Sequence, residues 1–145
     1  ARSEPGAVTE LRPGVYVFND AQQLALGSCS VEDVALTVLA TVTSTAGGDR
    51  AFIDAGSKVL GADRPLWMDG HGLLPDLGGA VVEALSEHHG VVRVRDWRPA
   101  VRVGDRVRVV PNHVCATVNL VDELAVVRDG RLVGRWRVDA RGRNS

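Results

Sequence analysis

The chain has 145 residues, 45% hydrophobic and 24% charged content, and a formal net charge of −1. That balance fits one globular domain of common size whose core needs no disulfide staples. It excludes the basic footprint of a nucleic-acid binder or of a protein drawn to anionic membranes, and no apolar run reaches the length of a membrane-spanning helix. No secretory signal is expected at its start, and two cysteines, Cys29 and Cys115, are too few for a disulfide framework. A reducing, cytoplasmic setting is therefore expected. Lys58 is the single lysine among 17 basic residues, so any chemistry that needs a lysine must use it or borrow one from another chain.

In chain order, the first residues read as an entry segment. Residues 15–18 form a short apolar run between Pro13-Gly14 and Asn19-Asp20, which predicts a strand. Residues 21–26 predict a short helix, with Asp20 as its N-cap and Gly27 just past its end. Cys29 follows in a polar turn and is expected to be a small buried residue. Residues 34–43 alternate, with Val34, Leu36, Val38, Ala40 and Val42 on one face, and their Val and Thr enrichment predicts a strand. A loop at 45–49 leads to a short strand at 51–54.

Residues 57–79 carry glycine, proline and aspartate at short intervals and predict an irregular excursion. Trp67 lies within it, and so does His71, which is expected to face solvent. Residues 80–85 and 91–94 read as a strand pair flanking Ser-Glu-His-His-Gly at 86–90. Val101, Val103, Val107 and Val109 alternate with Arg102, Arg106 and Arg108 around a Gly104-Asp105 turn. Residues 123–139 predict a hairpin closed by Asp129-Gly130, with Leu132, Gly134 and Trp136 opposite Arg131, Arg135 and Arg137. The last six residues read as a polar tail. Seven to nine short strands, with a turn signal about every ten residues, predict a mainly β protein: an antiparallel β barrel or sandwich.

The stretch Pro111-Asn-His-Val-Cys115 carries the chemistry. At the end of an extended strand, residues two apart share a face, so His113 and Cys115 would project side by side. An imidazole and a thiol suit zinc, and two ligands leave positions open for water or substrate. On spacing alone, a packed Cys and a satisfied His remain the commoner outcome. A nucleophilic Cys115 activated by His113 is a third reading. It needs a further group to hold the base, and Asp122 is the one remote candidate nearby in sequence.

Five phrases in order, TELRPGVYVFND, DAGSK, SEHHG, GDRVRVVPNHVCATVN and GRWRVDARGR, span Thr9 to Arg143 and resemble the C-terminal part of the D-threonine aldolase / D-serine dehydratase family. These are pyridoxal-phosphate enzymes with an alanine-racemase-like barrel followed by a β domain. The resemblance implies that residues 1–30 are a remnant of the last strand and helix of a (β/α)8 barrel, poorly anchored without it, and that residues 31–145 are the β domain with the metal pair. It implies His113 and Cys115 as zinc ligands, backbone N–H groups of Gly14, Val15 and Tyr16 near the cofactor phosphate, and His89 as a weaker site candidate. Here SEHHG departs from the commoner SEEHG, so His88 stands where a glutamate is usual. The family's Schiff-base lysine lies upstream of the matching region. Lys58 is not that lysine, so no catalytic residue is expected within this chain.

The implied activity is that of a domain of a lyase acting on D-β-hydroxy amino acids. The pyridoxal phosphate is the electron sink, and zinc near the substrate's β-hydroxyl promotes either loss of water or Cα–Cβ cleavage. Dehydratase-type members carry cysteine at the second ligand position and aldolase-type members tend to carry aspartate, so Cys115 favours elimination of water. The implied partners are the missing barrel or a complementary subunit, a small D-amino acid, and a second copy in a homodimeric parent enzyme. Neither nucleic acid nor membrane is expected. The competing expectation is a non-catalytic β-barrel module for binding or assembly, with a vestigial metal pair.

Overall fold

The computed structural model describes residues 6, 9–45, 48–94 and 101–143. Half of the expected entry segment and the last two residues of the tail lie outside them. Eight strands are present among the described residues: β1 (Val38–Ser44), β2 (Arg50–Ile53), β3 (Gly72–Leu74), β4 (Ala80–Leu85), β5 (Gly90–Arg93), β6 (Arg106–Pro111), β7 (Glu123–Arg128) and β8 (Arg131–Arg137). The first six close into a barrel in the order β1-β2-β5-β4-β3-β6, with every neighbouring pair antiparallel. Closure removes free sheet edges. It is completed where β1 meets β6, with Val38 opposite Val109 and Ala40 opposite Val107.

The period-2 pattern of the valine-rich stretches makes this core. Ala40, Val42, Ile53, Leu74, Val82, Val92, Val107 and Val109 are all buried inside the barrel. Full burial of each Val, Leu or Ile side chain stabilises the fold by about 1.5–3 kcal/mol. Residues 34–37 do not extend β1 as expected. A 3-10 turn at Val31–Asp33 precedes them, started by a reciprocal Ser30–Asp33 capping box.

Two expected elements differ more. Residues 15–18 contain a 3-10 turn, Val15–Val17, instead of a strand. A strand needs a ladder partner, and here the backbone bonds stay local: Val17 N–H donates to Gly14 O and Phe18 N–H to Val15 O. The excursion at 57–79 holds a short helix α2 (Ser57–Leu60) and the barrel strand β3. With three residues, starting at a glycine, β3 is too short to show alternation.

The hairpin β7-β8 stands apart as a separate two-stranded sheet. Its turn is as expected: Asp129 and Gly130 have φ of 50° and 72°, the left-handed pair that a two-residue hairpin turn demands. Every residue of β8 is exposed, including Leu132, Val133 and Trp136.

Candidate functional site

The site grows from the end of β6. Pro111 ends the strand, and Asn112 is 2% exposed. Asn112 Nδ2 donates to the carbonyls of Asp63 and Gly70, both at 2.9 Å, strapping the two ends of the 61–71 loop to this turn. Its Oδ1 is buried with no partner among the described residues. The chain then enters helix α3 (Val114–Asn119), for which His113 is the N-cap. Thr117 Oγ1 donates to Leu60 O at 2.9 Å and ties α3 to α2.

This corrects the expected geometry of the pair. His113 and Cys115 do not follow one another along a strand face, because Val114 already begins a helix. They meet by another route. Both line one open cleft of about 640 Å3, together with Gly14, Val17, Phe18 and Val138. The His113 side chain is 35% exposed and Cys115 is exposed.

Helix α3 starts where it does because of Asp20. Its carboxylate is fully buried. Oδ1 accepts from Gln23 N–H at 3.0 Å, capping α1 (Ala21–Ala25) as expected from the sequence. Oδ2 accepts from Val114 N–H at 3.0 Å and lies 3.5 Å from His113 Nδ1. One carboxylate thus caps two helices and faces the site imidazole. Residues 20 and 21 are correspondingly buried, so the N-terminal segment is anchored there, contrary to expectation: one oxygen of the Asp20 carboxylate is bonded by Val114, just past the end of the barrel's last strand. Sequence reasoning found Asp20 as a cap for α1 only. Its second use depends on a partner 94 positions away.

Gly14 lines the cleft, and an added Cβ there would meet nothing within 4 Å. Val15 and Tyr16 sit at the head of the 3-10 turn, where first-turn N–H groups have no acceptor inside the helix. Neither side chain is on the cleft wall, and that of Tyr16 is exposed.

The other candidates lie elsewhere. His89 is exposed in the β4-β5 turn, where its backbone bonds to Ser86. Lys58 Nζ pairs with Glu87 at 2.7 Å on the surface. His71 is half-buried instead of facing solvent; its Nδ1 is buried with no partner among the described residues, and burial, then the charge of Arg64, lowers its pKa. Cys29 is half-buried, less than expected, and is not on the cleft. Asp122 pairs with Arg141 at 3.2 Å. Among the described residues no hydrogen bond joins Cys115 to His113, so the contact that would activate a thiol nucleophile is not made.

Among the described residues, no group of three or more His, Cys, Asp or Glu side chains is placed to hold a metal. Of such side chains the cleft is lined by an imidazole and a thiol, His113 and Cys115. Fold and site together define a class: a closed antiparallel β barrel with an imidazole and a thiol in a cleft beside an apolar wall. The chain belongs to the serine dehydratase domain family, whose model matches residues 35–127. This makes it a domain of a family of D-amino acid lyases.

Three relatives illustrate the family. An uncharacterized protein of Mycobacterium tuberculosis is 54% identical over 132 residues, which are 88% of this chain and 99% of that protein. The D-threonine aldolase of Arthrobacter sp. is 39% identical over 140 residues, 94% of this chain and 35% of the enzyme. The solved D-threo-3-hydroxyaspartate dehydratase from Delftia sp. HT23 superposes with a TM-score of 0.77 at 33% identity, over 91% of this chain and 39% of that one. The chain thus spans little more than a third of the enzymes it matches.

Proposed function

We propose that this chain is the metal-bearing β domain of a pyridoxal-phosphate- and zinc-dependent lyase for D-β-hydroxy amino acids, of the D-serine dehydratase type, with D-threonine aldolase-like cleavage as the related reaction. The observation that carries this reading is that His113, Cys115 and Gly14 share one cleft. Solved structures of D-threo-3-hydroxyaspartate dehydratase include a histidine-to-alanine variant and a cysteine-to-alanine variant in metal-free form. The two altered positions are two apart in that enzyme, the spacing of His113 and Cys115 here.

The residues fit a zinc ion. His113 has one ring nitrogen facing a carboxylate and the other without a hydrogen bond among the described residues, and Cys115 presents an exposed thiol. A soft sulfur ligand favours zinc over magnesium or manganese. When bound, zinc supplies Lewis acidity toward the substrate's hydroxyl oxygen, and pyridoxal phosphate supplies the electron sink. His113 and Cys115 hold the metal and leave positions open to substrate. Val17, Phe18 and Val138 give the cleft an apolar wall. The side-chain-free Gly14 and the N–H groups of Val15 and Tyr16, which have no acceptor among the described residues, leave room and donors for a phosphate.

The remainder of the active site, including the Schiff-base lysine, is supplied by a barrel domain or complementary subunit, in a cytoplasmic homodimer. Metal analysis of purified protein tests the reading: His113→Ala and Cys115→Ala should each abolish stoichiometric zinc, and wild-type protein mixed with a complementary barrel should form carbonyl product from D-serine. Unchanged zinc in both variants would remove its basis.

One observation favours a second reading, a binding or assembly module with a vestigial metal pair. The mycobacterial relative is matched over 99% of its length, so a protein of about this size exists without the larger enzyme's additional chain. Zinc retention without any complementation by a barrel would favour it.

A further inference from the structure

We infer that Asp20 is the positioning residue for the site imidazole: its buried carboxylate engages His113 at Nδ1 and so presents Nε2 to the cleft. The inference rests on the zinc reading for its purpose but on this chain's own geometry for its content.

Asp20 is 0% exposed. Burying a carboxylate is costly unless it is paired and hydrogen-bonded. Its two backbone bonds, to Gln23 and Val114 at 3.0 Å each, are N-cap bonds made one on each oxygen, so serine, threonine or asparagine, with a single side-chain oxygen, would keep only one of them. Double capping is therefore one use of this buried carboxylate. The second is a charged acceptor opposite a ring nitrogen, for His113 Nδ1 lies 3.5 Å from Oδ2. The same Oδ2 bonds Val114 N–H, so the helix start and the ring it carries are aligned by one atom. A neutral imidazole carries its proton on the nitrogen that faces an acceptor. With the proton on Nδ1, the lone pair sits on Nε2, the form a metal needs, and such outer carboxylates orient the ring and raise ligand basicity.

Two measurements test this. In metal-free wild-type protein labelled with 15N-histidine, long-range 1H–15N correlation should show neutral His113 with its proton on Nδ1. The signal is assigned by its loss in His113→Ala. A proton predominantly on Nε2 overturns the proposal whether or not the protein binds zinc. The second measurement is zinc affinity by chelator competition. Asp20→Asn keeps the shape and one cap acceptor but removes the charge, and it should weaken zinc about ten- to hundredfold and shift the ring proton toward Nε2. If Asp20→Asn binds zinc as tightly as wild type while His113→Ala does not, Asp20 is only a helix cap. If His113→Ala and Cys115→Ala both leave zinc affinity unchanged, the zinc reading fails, and the tautomer alone decides the role of Asp20.

Discussion

The turn at 86–89 and the turn at 112–114 each follow a barrel strand and each carry histidine, yet the fold holds them by different atoms. In the first, the backbone does the holding. The carbonyls of Ser86 and Glu87 accept from Ser57 and Lys58 N–H and cap α2, while the side chains of Glu87, His88 and His89 stay exposed. In the second, buried side chains do the holding: Asn112 straps the 61–71 loop, and Asp20 grips Val114 and faces His113. A turn gripped by its backbone leaves its side chains at the surface. A turn gripped by buried side chains fixes the direction of what it carries, and a ligand site needs that fixed direction.

The strongest way to break the second turn is Asn112→Ala. Two carbonyls lose their donor, and unpaired buried acceptors cost about 1–3 kcal/mol each. A loss of about 3 kcal/mol in urea unfolding is expected; an unchanged midpoint would show that the strap is idle. Gly56→Ala strikes the first turn. A Cβ there would stand 2.4 Å from Glu87 O, and since the obstacle is backbone, relief requires moving the turn, at about 1–3 kcal/mol. Thermal unfolding reads it directly.

A smaller effect separates the two by pH. His71 lies at the foot of the strapped loop, and burial, reinforced by the charge of Arg64, lowers its pKa from the ordinary 6.5. The folded protein therefore disfavours the charged ring, and the unfolded chain protonates first as pH falls. Stability from this group is complete above 6.5 and is lost as pH drops through that value toward the lower folded one. His71→Gln should flatten the fall of Tm between about pH 7.5 and 5.5; an unaltered slope would place the charge change elsewhere. The smallest effect belongs to His89→Ala, with a stability change within about 0.5 kcal/mol and zinc content as in wild type. Lost zinc would bring His89 into the site and erase the contrast.

Much of this architecture could be read before any coordinates. The Ala40 and Val42 face, the β4-β5 pair, the Asp129-Gly130 hairpin and the Asp20 cap were all legible, as was the barrel alternative itself. The strand at 72–74 was not, because three residues carry no period. The 15–18 run was misread because apolar character without a ladder partner does not make a strand. His113 and Cys115 share a cleft, but not by the geometry their spacing predicts: the strand-face argument fails at Val114, where Asp20 starts a helix.

By itself, then, the sequence determined what neighbouring residues can enforce: alternation along β1 and β6, a left-handed turn at Asp129-Gly130, a cap at Asp20. The tertiary structure alone decided which strands close the barrel and which side chains face the cleft. Those choices hang on polar partners 42 to 94 positions apart, and a buried Asn or Asp is fixed by whatever acceptor or donor the finished fold brings to it, a property no local pattern contains.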